Sequence, residues 1–144
     1  MADTLRLANG LPTETHSDEN IAWSKDSDDA AASDATAERA FYRARGGETV
    51  ASVHYTADAA ITGTDTNNFA ITVGRRTGGG ARSAIVTYTN DVASGGVSAW
   101  VPKSLGTPAN TALVADDILT VEITKNGTGQ IVRKGTVVVG ITRP

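Results

Sequence analysis

From about residue 37 onward, apolar side chains recur at every second position in short runs, the period of a half-buried β-strand. In ERAFYRAR, Ala40, Tyr42 and Ala44 alternate with Arg39, Phe41, Arg43 and Arg45. Gly46-Gly47 then turns the chain into ETVASVHYTA, where Val53 and Tyr55 alternate with His54 and Thr56. Phe69, Ile71 and Val73 alternate in NFAITVGRR, and the glycines at 78–80 precede ARSAIVTYTN, where Ile85 and Val86 are adjacent and Tyr88 follows. Val97, Ala99 and Val101 predict a further strand with Trp100 on its opposite face. Ile118, Val121 and Ile123 mark another, followed by the turn dipeptide Asn126-Gly127, then Ile131-Val132 and the apolar closing run TVVVGITRP. The pattern predicts an all-β chain, a jelly-roll-like β-sandwich of about seven to eight antiparallel strands.

Residues 1–36 read differently. Apolar residues come in islands (Leu5, Leu7 and Leu11, then Ile21, Ala22 and Trp23) separated by polar and acidic stretches. The run DSDDAAASDAT at 26–36 is low in complexity and cannot bury enough surface to fold alone, although its alanines permit a short helix over 28–35. We therefore divide the chain into an extended acidic N-terminal arm, 1–36, and a β-sandwich domain, 37–144. The arm is expected to gain order from a partner, with Leu5, Leu7, Leu11, Ile21 and Trp23 as its anchors.

Composition supports the strand reading: 13 Val, 8 Ile, 20 Thr and 15 Gly stand against only 6 Leu in 144 residues. One domain is the expectation at this length. There is no Cys, so disulfides, thiol chemistry and Cys-ligated metals are excluded. No apolar run is long enough for a membrane-spanning helix, and MADTLRLANG has neither the basic start nor the apolar stretch of a secretory signal.

The net charge of -3 hides an asymmetry. Residues 1–38 carry nine acids against Arg6 and Lys25, while residues 39–144 carry eleven bases against seven acids. An acidic leader repels phosphate, which argues against nucleic acid as a partner, and nothing points to a membrane. The basic set Arg39, Arg43, Arg45, Arg75, Arg76 and Arg82 is the expected meeting place for acidic neighbours, including the leader of another copy.

Motifs for chemistry are sparse. His16 and His54 have no second ligand at metal spacing, and there is no G-x-S-x-G elbow. GTDTNNF at 63–69 is rich in oxygen ligands but lacks the spacing of a calcium loop, and GRRTGGGAR at 74–82 lacks the Lys-Ser/Thr ending of a phosphate loop. We expect no catalytic residues, no cofactor and no metal.

Two stretches, DAAITGTDTNNFAITVGRR (58–76) and ALVADDILTVEITKNGTGQIVRKGTVVVGITRP (112–144), resemble capsid decoration (cement) proteins of tailed bacteriophages. The resemblance covers roughly residues 38–144 and not the leader. It implies a non-enzymatic protein on the outer surface of the virion head, made in the host cytoplasm. Such a protein would bridge major capsid proteins and associate with copies of itself, a homotrimer first and a dimer as the alternative. The rival expectation is a carbohydrate- or receptor-binding sandwich on a phage tail or fibre, for which Trp23, Trp100 and Phe41 are the available aromatic platforms.

Overall fold

The computed structural model describes residues 2–6 and 12–143, with side chains described from Asp18 to Arg143. Its strands are β1 (Ala2–Arg6), β2 (Pro12–Lys25), β3 (Thr36–Arg43), β4 (Glu48–Ala57), β5 (Phe69–Arg76), β6 (Arg82–Thr89), β7 (Lys103–Ser104), β8 (Ala112–Leu113), β9 (Ile118–Lys125) and β10 (Gly135–Arg143). They form two antiparallel sheets, one in the order β1-β2-β10-β4-β7 with β8 also on β4, the other in the order β3-β9-β5-β6. No helix occurs among the described residues. The all-β sandwich expected from the alternation is what the chain forms.

The inward faces of the two sheets make one core. Val53, Tyr55, Val137, Val139 and Ile141 from the larger sheet meet Phe69, Ile71, Val73, Leu119, Val121 and Ile123 from the smaller. Tyr55 keeps its hydroxyl satisfied by donating to the Arg133 carbonyl at 2.6 Å, and burial pushes its pKa far above the usual range.

Bulges account for the places where alternation fails. The β5–β6 register shifts between Val73 and Gly74, so Ile85 is the extra residue and both it and Val86 are buried. The β4–β10 register shifts between Gly140 and Ile141, leaving Ala51 unpaired and letting Val50 and Val53, three apart, both face the core. A third shift between Ala40 and Tyr42 turns Phe41 and Tyr42 together against the core.

Three local expectations change. Residues 97–101 are no strand: Val97 and Ala99 make only single bridges, to Ile61 and Ala57, and Trp100 sits in a turn. Ile131-Val132 is a loop, where Val132 is buried and its amide and carbonyl both bond to Asp29. The stretch 28–35 forms a turn in place of a helix, with the Asp34 carboxylate accepting from the Ala31 amide at 3.0 Å.

The leader is joined to the body by a sheet. β2 pairs with β10 in unbroken antiparallel register from Ser17↔Arg143 to Lys25↔Gly135, so this part of the predicted arm is a strand of the sandwich itself. Beyond Ser17 the strand runs on past the end of β10, and there it pairs with β1, from Ala2↔Ser17 to Arg6↔Pro12. A two-stranded ribbon, roughly 17 Å long at strand rise, thus continues the larger sheet outward.

Candidate functional site

The charge asymmetry is largely resolved within the chain. Asp29 meets Lys25 at 2.7 Å and also pairs with Lys125, and Asp28 meets Arg133 at 3.0 Å while accepting the Lys134 amide at 2.8 Å. Glu38 holds Arg76 in a two-pronged pair at 2.6 and 3.0 Å, and the guanidinium brings the Glu38 pKa down to about 2. Glu19 pairs with Arg143, the last described residue.

Topology brings most of the predicted basic set to one end of the smaller sheet. Arg43 and Arg76 both pair with Ile118, and Arg76 pairs in turn with Arg82. They are held by the chain's own acids: Arg43 by Asp116 at 2.6 Å, Arg75 by the buried Asp117 at 3.2 Å, Arg76 by Glu38 and Arg82 by Glu122 at 2.5 Å. Burial pushes the Asp117 pKa up, but hydrogen bonds from Thr77 and the Val114 amide, with the Arg75 charge, hold it below the ordinary value. Arg39 and Arg45 are exposed. The exposed Arg43–Asp116 pair contributes little stability, about 0–1 kcal/mol, but all four pairs leave less charge for a partner than the sequence count implies.

The predicted anchors divide. Ile21 and Trp23, expected to anchor on a partner, pack half-buried against the chain's own core, as does Phe41. Leu7 and Leu11 lie outside the described residues. For Leu5 only the backbone is described, paired with Glu14.

A second polar cluster ties the two sheets. Glu48, 1 % exposed, accepts from the Tyr42 hydroxyl at 2.6 Å, the Arg143 guanidinium at 2.8 Å and the Arg45 amide at 3.0 Å. Burial opposes its ionisation, yet these three donors keep its pKa below the ordinary value. The cluster thus ties the end of β10 to the β3–β4 turn.

Trp100 is the feature that the alternation misplaces. It is 75 % exposed and its φ is +60°, a left-handed conformation that costs a bulky residue about 1–3 kcal/mol. The Trp100 amide donates to the Ala57 carbonyl at 2.8 Å, and Ile61 and Val97 exchange backbone bonds at 2.8 and 2.9 Å, so the loop is pinned to the end of β4. Beside the indole lies an open cleft of about 300 Å³. Ser24, Lys25 and Asp26 enter it from the end of β2, Thr56 and Asp58 from the end of β4 and just beyond it, and Lys134, Gly135 and Thr136 from the start of β10. Thr136 pairs with both Ser24 and Thr56, so three hydroxyl residues stand in one row across the sheet. Asp58 lies 3.5 Å from the Lys134 ammonium through Oδ2, while its buried Oδ1 has no hydrogen-bond donor. A second hollow of about 310 Å³ shares Thr56 and continues along the outer face past His54, Ser52, Asn20, Val138 and Pro102.

The oxygen-rich loop 63–69 spends its groups on the fold. Asn68 donates to the Thr64 carbonyl at 2.8 Å, Asp65 accepts the Val92 amide at 3.0 Å and Asn67 accepts the Thr128 amide at 2.9 Å. Among the described residues no group of three or more His, Asp or Glu gathers to hold a metal ion. No family model matches the chain, and no curated protein or solved structure is significantly similar to it.

Proposed function

We propose that the protein is a capsid decoration, or cement, protein: a non-enzymatic, homo-oligomeric sandwich bound to the outer surface of a tailed-phage head, bridging major capsid proteins. The supporting observation is the β1–β2 ribbon, which leaves the larger sheet beyond β10 and in which, among the described residues, β1 has β2 as its one extensive neighbour. A protruding ribbon lengthens the footprint of a small body, and spanning several shell subunits raises avidity without tightening any single contact. The sequence resemblance of 58–76 and 112–144 supplies the class of surface. The jelly-roll connectivity and the trimer belong to the same proposal.

The test uses a chain lacking residues 1–16, which removes the ribbon and keeps β2 on β10. Its occupancy on purified heads should fall at least tenfold relative to the full chain. Equal coating by the two chains would sink the reading.

A further inference from the structure

We propose that the Trp100 cleft is a binding site for a neutral, pyranose-based saccharide. Holding an indole in water and straining the backbone beneath it both work against folding, and the loop accepts both at the same residue. A strained, exposed aromatic pinned by backbone bonds at Ala57 is a structural investment that packing does not explain.

The chemistry around the indole selects the ligand class. A sugar ring has an apolar C–H face and a rim of hydroxyls, so it needs one flat aromatic surface and several small polar groups. The cleft offers that combination: the Trp100 indole, the hydroxyl residues Ser24, Thr56 and Thr136, and Asp58. A quaternary ammonium needs an enclosing aromatic cage, and among the described residues Trp100 is the one aromatic side chain lining this open cleft. An anionic ligand is disfavoured because Lys134 faces Asp58 and Lys25 is taken by Asp29. The adjoining hollow at Thr56, with Asn20, Ser52 and His54, extends the site beyond one ring, so an oligosaccharide fits better than a monosaccharide.

The site is separate from the ribbon, so the two proposals fail separately. The test applies fluorescently labelled full chain, and its Trp100→Gly variant, to an array of neutral oligosaccharides built from glucose, galactose, mannose and N-acetylglucosamine, with titration calorimetry on the strongest hit. The full chain should bind at least one oligosaccharide, and Trp100→Gly should weaken that binding tenfold or more. The variant should also melt no lower than the parent and coat purified heads equally well. Absence of binding across the array would overturn the proposal, as would unchanged binding by Trp100→Gly. A variant that melts several degrees lower would make Trp100 a structural residue, and one that loses head occupancy would make it a capsid contact.

Discussion

Asp29 and Lys125 form an ion pair whose side chains are only 4 % and 5 % exposed. Asp29 belongs to the acidic linker after β2 and Lys125 ends β9 in the opposite sheet, so the pair closes one end of the sandwich. Lys25 and the Val132 amide, at 2.7 and 3.0 Å, complete the shell around the carboxylate. Burial pushes the Asp29 pKa up, but the Lys125 and Lys25 hydrogen bonds outweigh it and the net shift is downward. Removing one partner strands a buried charge, so Asp29→Ala should destabilise by about 3–5 kcal/mol. Urea unfolding of the single variants and of Asp29→Ala with Lys125→Met measures this, and the double variant should lose less than the sum of the singles.

Acid should unfold the protein through its paired carboxylates. Glu38 has its pKa lowered from 4.5 to about 2 by Arg76, and Asp28, Asp29, Glu48 and Asp117 are also lowered. A depressed carboxylate favours the native state when ionised. Its contribution is full above the unfolded pKa and is lost as pH falls through the folded one. For Glu38 that window runs from about 4.5 down to about 2. Melting temperature should fall across it, and Glu38→Gln should flatten the slope while lowering Tm at pH 7. An unchanged slope in the variant would refute the assignment.

The strand core was legible because period-two alternation follows from the pleat: β10 carries it throughout and β4 on either side of its bulge. The bulges were visible only as adjacent apolar residues, Ile85-Val86 and Phe41-Tyr42. The leader was read as an arm because its apolar islands are separated by acidic stretches. Yet Ile21 and Trp23 alternate with Asn20, Ala22 and Ser24, the strand signal that pairs with β10. The cleft was not legible at all. It joins the ends of β2 and β4, the start of β10 and the Trp100 loop, segments far apart in sequence, and the positive φ of Trp100 leaves no mark in the residue pattern.

Truncation separates ribbon from sandwich. Removing residues 1–16 should leave Tm within a few degrees of the parent, because the β2–β10 pairing from Ser17 to Lys25 is retained. Removing residues 1–36 strips β10 of a neighbour and takes Ile21, Trp23 and Asp29 from the core and its closing pair. That chain should unfold at low urea or be recovered as aggregate through the bared β10 edge. Circular dichroism melts and size-exclusion profiles of the two chains report the difference.

Glycine substitutions along β10 should rank by what a new methyl group meets. At Gly135, on the floor of the Trp100 cleft, a Cβ would land on the Thr56 carbonyl oxygen and lie 3.0 Å from Ala57 Cα, both backbone atoms of β4. Backbone cannot rotate away, so β10 and β4 must separate there. Gly135→Ala should cost at least about 1–3 kcal/mol, the usual penalty of overpacking. At Gly140 the nearest atom is Ser52 Oγ at 2.6 Å, the tip of a side chain that can change rotamer, so Gly140→Ala should be far milder. Because Thr56 lines both hollows, Gly135→Ala should also weaken saccharide binding at Trp100, whereas Gly140→Ala, which meets Ser52 and Asn20, should disturb only the adjoining hollow. Chemical denaturation gives the stability ranking and calorimetry the binding one. Equal costs at the two glycines would mean that the strands relax more freely than the register implies.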